Sequence, residues 1–547
     1  MSIPRFVLFS ILFFGVLLLI WINGGRSLKW VQRETHSPLA EKPQSPTDFS
    51  DYANDSLLFS EKISIDSNSS KEEAFFRFLQ QSNPQNDWVV STNDPVVAKM
   101  IENPEAFGLE VIDELSDLAA IRLRIVNRKA AYPNLLRFID RDVIGVNFPI
   151  RQPLPPRTEA VDESYIFSDS FLQWLGGSSE RNHFGSGVKV AVIDSGIDSK
   201  HPSLSKTSVK QNDSHIADTL KKNNADNSHG TAIASVIAGG GDTVLGIAPA
   251  AEILSYRVTN RDGISDSFTV ASAIFHAVQD GADVINISLG GEEGSEVLRR
   301  AVSYALEQGV PVVASVGNDG IGIVNYPAAY DGVIGVTSVG VSGAVASFSN
   351  FGDGVDFAAP GVGVMTASDS QDMANFSGTS ISAAMVTGAI AMQLGFDPHL
   401  SPSELQKLLI KFSNESGKPG PDKISGHGIL SLARLENQNN PDYTDAAIAG
   451  YYFDLPKGSS AGTIPFDVVI QNQGNTYLNN LSLDVDYLGI NKRFLIGGLS
   501  TGEVRTEKLY IQGTELAKEL KISASLKQND YTDSQPDNNQ RISVFKF

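Results

Sequence analysis

Between residues 188 and 315 short apolar strands alternate with helices, and this pattern limits the possible folds more than any other feature of the chain. Residues 188–193 read as a buried strand whose apolar run is broken only by Lys189. Residues 231–238 read as a helix of small residues closed by Gly239 and Gly240. A strand at 252–258, a helix at 267–279, a strand at 284–288, a helix at 297–308 and a strand at 311–315 continue the series. Strands that are apolar throughout and separated by helices imply a parallel sheet with helices on both faces, an α/β fold. Such sheets collect ligands at the carboxyl ends of their strands. A domain of this kind is expected over residues 151–436.

The flanks read differently. Residues 1–33 hold an apolar run at 6–22, preceded by Arg5 and relieved only by Ser10 and Gly15. Its length falls between a signal-peptide core of ~7–15 residues and a spanning helix of ~20. The run is expected to be a signal peptide or a membrane anchor, and the lack of an Ala-x-Ala cleavage site after it tips the reading towards an anchor. Arg26, Lys29 and Arg33 lie after the run, a charge order that by itself argues against export. Residues 34–70 are rich in Ser, Pro, Asp and Asn and read as a linker.

Over residues 71–150 strands are expected at 88–91, 109–113, 119–125 and 143–148, with helices at 95–102 and 133–139. That order is the ferredoxin-like β-α-β-β-α-β arrangement. Pro133 sits where the first turn of a helix tolerates it. Pro153, Pro155 and Pro156 then mark an extended joint open to cleavage. Beyond an Asn-rich break at 437–441 the period changes to two. In 481–487, Leu481, Leu483, Val485 and Tyr487 alternate with Ser482, Asp484 and Asp486. Similar runs at 466–471, 504–511, 521–526 and 541–547 predict an immunoglobulin-like sandwich over 437–547.

Composition removes several function classes. The 547 residues contain no cysteine, which excludes disulfides, thiolate metal sites and a cysteine nucleophile. With 43 Lys plus Arg against 63 Asp plus Glu, the net charge of -20 repels phosphate backbones, and no nucleic-acid partner is expected.

Three segments carry potential chemistry. In Val-Ile-Asp-Ser-Gly-Ile-Asp at 192–198 a buried strand ends on Asp194; in Asn-Ser-His-Gly-Thr at 227–231 His229 opens a helix. In Phe-Ser-Gly-Thr-Ser-Ile-Ser-Ala-Ala-Met-Val-Thr-Gly at 376–388 Ser380 lies in a helix's first turn, where unpaired N–H groups and the helix dipole favour a developing oxyanion. Taken singly, each has an ordinary structural reading: a turn aspartate, a structural histidine, a helix cap.

Together, in the order Asp, His, Ser, the three segments resemble the subtilases, the subtilisin-like serine peptidases. The resemblance spans about 187–435 and ends in Gly-His-Gly-Ile-Leu-Ser at 426–431. It implies Ser380 as nucleophile, His229 as general base and Asp194 as the carboxylate that orients it. Val-Val-Ala-Ser-Val-Gly-Asn-Asp-Gly at 312–320 resembles the oxyanion segment, which implies Asn318 as an oxyanion donor. Asn-Ile-Ser-Leu-Gly-Gly at 286–291 resembles the substrate strand. By the same resemblance Ser288, Leu289, Gly290, Ala314, Gly317 and Asn325 border the bound substrate, and a neutral or apolar residue is expected beside Asn325. Ala232 and Ala384 stand where the family usually has a histidine and a proline.

The resemblance also implies protein or peptide substrates, a ferredoxin-like propeptide that inhibits until self-cleavage between residues 150 and 170, and an extracytoplasmic location. It implies no cofactor for catalysis. Structural calcium is compatible with the family, although no EF-hand run is present and no metal ligands can be named. Residues 468–475 and 537–539 resemble a CARDB-type bacterial adhesion module. The competing expectations are a catalytically silent scaffold on the same fold and an enzyme that processes only itself.

Overall fold

The computed structural model describes residues 87–127, 129–131, 144–153, 167, 170–212, 226–241, 244–368, 372–414, 420–453, 463–512, 520–528 and 532–545. The apolar run 6–22, the linker 34–70 and the helix expected at 133–139 lie outside these residues.

The alternating segments build one parallel sheet. Its strands follow the order Phe357–Pro360, Ile334–Val339, Val312–Ser315, Val284–Ile287, Lys189–Asp194, Glu252–Arg257, Val209–Gln211. Side chains alternate between the two faces of a strand. Val190 and Val192 therefore join one core, with Ile233, Ile237 and Ala384. Ala191 and Ile193 join the other, with Phe268, Ile274 and Leu298. Each Val or Ile fully buried in this way contributes about 1.5–3 kcal/mol, which is why the strand shows no polar alternation.

The helix Thr379–Phe396 passes beside the sheet and is buried on every side over most of its length. It is long and apolar enough to cross a membrane, but 89% of the stretch lies inside the protein, the mark of a core helix. Small residues allow the close approach: a Cβ at Gly388 would lie 2.8 Å from Ile247 Cβ.

Ahead of this domain lies a four-stranded antiparallel sheet in the order Leu109–Leu115, Ala120–Ile125, Asp87–Ser91, Ile144–Val146. That order is the one a ferredoxin-like unit requires. The helix Pro95–Glu102 begins where Asp94 Oδ1 accepts from Val96 N at 2.8 Å, with Pro95 in the first turn. Trp88, Val90, Leu109 and Leu123 pack with Val97 and Met100 on one face. Val89, Leu115, Leu118 and Ala120 join the core of the parallel-sheet domain. Asn147 Oδ1 accepts from Ser267 Oγ and Phe268 N, both at 3.0 Å, and Phe148 O accepts from Ser267 N at 2.9 Å. The N-terminal unit thus completes the first turn of the helix Ser267–Gln279.

At the other end, two antiparallel sheets enclose a third core. One has the order Ala446–Phe453, Thr463–Asn472, Val504–Gln512; the other Ile490–Leu499, Leu478–Tyr487, Leu520–Lys527, Gln540–Phe545. The five expected strands all occur, four with wider bounds and the last as Gln540–Phe545, with residues 546–547 outside those described. Ala446–Phe453 and Ile490–Leu499 were not anticipated. The first is apolar at nearly every position and carries a register shift between Ile448 and Gly450, so no period of two shows. The second carries Asn491, Lys492 and Arg493 directly after Ile490 and closes near a Gly pair, all weak strand signals. Gln473 Nε2 donates to the carbonyls of Gln173 and Trp174, both at 3.3 Å, and Arg541 Nη1 to Gln173 Oε1 at 2.6 Å, tying the sandwich to the parallel-sheet domain.

A buried ion pair closes that domain. Arg181 is fully buried, with Nη2 2.9 Å from Glu436 Oε1, Nε donating to Ser178 O at 2.6 Å and Nη1 to Ile247 O at 3.2 Å. Burial pushes the Glu436 carboxyl up even beside this guanidinium. Removing one partner of such a pair strands a charge in the interior, so Glu436→Ala is expected to cost about 3–5 kcal/mol in urea unfolding.

Asp445, in the sandwich, gives a pH signature. Its Oδ2 accepts from Tyr443 OH at 2.6 Å and its Oδ1 from Asn538 Nδ2 at 2.8 Å. Burial first, and the charge of Asp533 after it, push this carboxyl up to about 6. The folded state holds the proton more tightly than the unfolded one, so this stability is complete below 3.8 and lost as pH rises through about 6. Unfolding measured across that interval is expected to show this loss in the wild type and a flatter profile in Asp445→Asn.

Candidate active site

Each candidate group sits at an end dictated by the sheet. Asp194 closes the strand Lys189–Asp194 and is fully buried. Its Oδ1 accepts from His229 Nδ1 and from Ser195 N, both at 2.7 Å. His229 is the second residue of the helix Ser228–Ala238. That helix starts where Asp226 Oδ1 accepts from Ser228 N at 3.0 Å, and the bonds from Ser228 hold the Asp226 carboxyl below its usual range. A Cβ at Gly230 would come 2.2 Å from Gly196 O, so the helix reaches the strand end only because residue 230 is glycine. Phe376 packs edge-on against the His229 ring, with centroids 5.4 Å apart.

Ser380 is the second residue of the helix Thr379–Phe396. Its Oγ donates to Ser288 O at 3.4 Å, while Ser288 Oγ donates to Ser380 O at 3.2 Å. His229 Nε2 has no partner among the described residues, and it is the atom that faces the nucleophile in a catalytic triad. Asn318 Oδ1 accepts from Thr379 N and Thr379 Oγ1, both at 2.9 Å, which fixes the amide plane beside the helix start. A Cβ at Gly378 would lie 2.9 Å from Asn318 Nδ2, so the glycine leaves that nitrogen its space. The structure therefore brings Asp194 against His229, and Asn318 against the turn that carries Ser380.

The groove residues separate into two groups. Gly290 offers its backbone: its N donates to Arg151 O at 2.8 Å and its O accepts from Arg151 N at 2.9 Å. Gly317 and Asn325 lie together, since a Cβ on Gly317 would fall 2.7 Å from Asn325 Nδ2. Leu289 and Ala314, by contrast, bury their side chains in the core beneath, and only their main chain remains for a substrate. Sequence reasoning did not find the chain of buried bonds behind Ser288, in which Thr387 Oγ1 donates to Asn286 Oδ1 and Asn286 Nδ2 to Ser288 Oγ, both at 2.9 Å. Nor did it find Gln152, whose Nε2 donates to Asp194 Oδ1 at 3.2 Å. Among the described residues no group of three or more His, Cys, Asp or Glu is arranged to hold a metal ion.

Residues 185–428 match the family model described as the subtilase family. Subtilisin DY of Bacillus licheniformis is 36% identical over 254 residues, which take in 45% of this chain and 90% of that enzyme. The chain belongs to the subtilase family. It is a subtilisin-like serine endopeptidase. A thermostable alkaline protease of Halalkalibacterium halodurans is 29% identical over 349 residues, covering 63% of this chain and 90% of that protein. Fervidolysin from Fervidobacterium pennivorans, a solved structure, shares the subtilase fold at a TM-score of 0.56 and 19% identity, over 84% of this chain and 91% of that one.

The bond chain behind Ser288 yields a test of the site. Thr387→Val removes the hydroxyl while keeping the shape and leaves Asn286 Oδ1 without this donor in the interior, at a cost of about 1–3 kcal/mol. Urea unfolding checks the stability. The rate of peptide hydrolysis is expected to fall as Ser288 loses its fixed position beneath Ser380.

Proposed function

We propose that this subtilase hydrolyses proteins and peptides through Ser380, His229 and Asp194. The observation that carries the assignment is the 2.7 Å bond from His229 Nδ1 to the buried Asp194 carboxylate, made at the carboxyl end of the parallel sheet. With Nδ1 donating to Asp194, Nε2 is the nitrogen left to take the Ser380 proton. The sequence of events is attack by Ser380 Oγ on the scissile carbonyl, proton transfer to His229 and collapse to an acyl-enzyme. His229 then protonates the leaving amine, and water releases the acyl group. Asn318 Nδ2 and the Ser380 N–H are the donors for the oxyanion.

Gly290 supplies main-chain pairing to an extended substrate, which gives affinity with little sequence choice. Asn325 beside Gly317 favours a neutral residue before the cleaved bond. The N-terminal ferredoxin-like unit acts as propeptide and inhibitor, supported by its strand 149–151 lying against the groove. The enzyme acts outside the cytoplasm, secreted or held to the membrane through residues 6–22, a reading supported by a relative from Bacillus subtilis that bears the name minor extracellular protease Epr.

Hydrolysis of unfolded casein by the full chain, beside Ser380→Ala, tests the reading. The wild type is expected to cut and the variant to be inert; equal rates would remove Ser380 from the chemistry. Asn318→Ala is expected to lose about 2.7–4 kcal/mol of transition-state stabilisation, the loss known for an oxyanion-hole asparagine in a subtilisin, read as kcat with KM little changed.

A further inference from the structure

Asn325 links the two backbone walls that flank the nucleophile. On one side Tyr326 N donates to Gly291 O at 2.7 Å, and a Cβ at Gly290 would lie 2.9 Å from Asn325 Cβ. On the other, Asn325 N donates to Val316 O at 3.0 Å, and a Cβ at Gly317 would lie 2.7 Å from Asn325 Nδ2. The first wall runs on from Ser288, whose O lies 3.4 Å from Ser380 Oγ; the second runs into Asn318, which bonds the turn that carries Ser380. Both walls are glycine where they meet the Asn325 side chain. A substrate residue whose carbonyl lies at Ser380 Oγ therefore sends its side chain between them, onto this carboxamide.

The carboxamide holds nothing in the fold together. Asn325 is 8% exposed, its Oδ1 is buried without a partner, and its Nδ2 makes no bond among the described residues. A buried amide that serves the fold is bonded. Asn350, fully buried behind Gly317, is such a residue at one end only. Its Oδ1 accepts from Asp319 N at 2.9 Å and from Ile321 N at 3.4 Å, which fixes the way its amide is turned. Its Nδ2 then faces Gly317, where a Cβ would lie 2.3 Å from it, and this nitrogen has no partner among the described residues. Two amide nitrogens thus converge on one glycine of the groove, and the protein supplies an acceptor to neither.

We propose that the enzyme selects a carboxamide side chain, glutamine or asparagine, at the residue before the cleaved bond, with Asn325 as the group that reads it. This rests on the peptidase reading above and narrows it. The oxygen of such a side chain accepts from Asn325 Nδ2, on the side where the Asn350 amide turns its own N–H groups. With its amide turned over, Asn325 presents Oδ1 and accepts from the substrate's N–H groups, so a carboxamide matches it in both orientations. The other side-chain classes do not match. An apolar side chain strips water from the amide and returns no bond. Lys and Arg bring donors to donors. Glu and Asp offer acceptors but must shed their hydration against a neutral partner, and Asp319, exposed one residue after Asn318, adds a like charge close by.

The test uses quenched fluorogenic peptides identical except at the residue before the cleaved bond, which is Gln, Asn, Glu, Leu, Met or Lys, with each cut located by mass. The ratio kcat/KM is measured for the full chain and for Asn325→Ala, with casein hydrolysis and Ser380→Ala run beside them. In the wild type, cleavage after Gln or Asn is expected to exceed cleavage after Leu, Met, Glu and Lys by about tenfold or more. In Asn325→Ala the rates after Gln, Asn, Leu and Met should fall within about threefold of one another, chiefly through slower cleavage after Gln and Asn. A wild type that cleaves after Leu, Met or Glu as fast as after Gln and Asn overturns the assignment and leaves the peptidase reading standing. An Asn325→Ala enzyme that keeps the wild-type preference, whether or not all rates fall together, removes Asn325 as the selecting group. A wild type that cleaves neither the peptides nor casein overturns the peptidase reading and this one with it.

Discussion

The burial of the strand Lys189–Asp194 on both faces is the constraint from which the rest of the molecule follows. Its apolar residues satisfy two cores at once, which leaves positions for charge only at its two ends, Lys189 and Asp194. Asp194 stands at the carboxyl end, removed from water yet bonded through one oxygen to a main-chain N–H and to His229. A carboxylate in such surroundings is tolerated because its bonds are made before any substrate arrives. The helices that carry His229 and Ser380 come close to the sheet for the same reason. Both are built from small residues and can approach without opening a void, as Gly230 and Gly388 illustrate.

Much of this was legible in the residues. The helices Pro95–Glu102 and Ser267–Gln279 fall where proline, a capping aspartate and apolar spacing place them. The strands of the parallel sheet up to Val312–Ser315 were visible as apolar runs between helices, except the short, half-polar Val209–Gln211, which was not anticipated. Strands Ile334–Val339 and Phe357–Pro360 and the helix Pro402–Phe412 escaped notice. Their neighbours are glycine-rich loops, and in a two-face strand the absence of alternation hides the element in the surrounding apolar sequence.

The site was legible in part, and the division has a physical reason. Asp194, His229 and Ser380 each sit beside glycine and small residues whose spacing is a property of the local chain. Gln152 carries no such mark. It approaches Asp194 through the pairing of two segments separated by more than a hundred residues, and pairing partners cannot be read from either segment alone. Leu289 and Ala314 differ again: they lie in motifs expected to border substrate, their side chains are buried in the core, and only their main chain is left to face it.

The cap that Asn147 and Phe148 place on the helix Ser267–Gln279 makes one helix end depend on two parts of the chain. Ser267 N, Ser267 Oγ and Phe268 N are satisfied by the unit that precedes the groove strand, whereas Thr269 N is satisfied from within the domain by Asp266. One first turn is thus shared property of the two parts of the chain. Were the two parts separated, three donors would pass to water and only the Asp266 bond would remain in that turn. The same three donors would then mark, on the surface left behind, where Asn147 and Phe148 had been bonded.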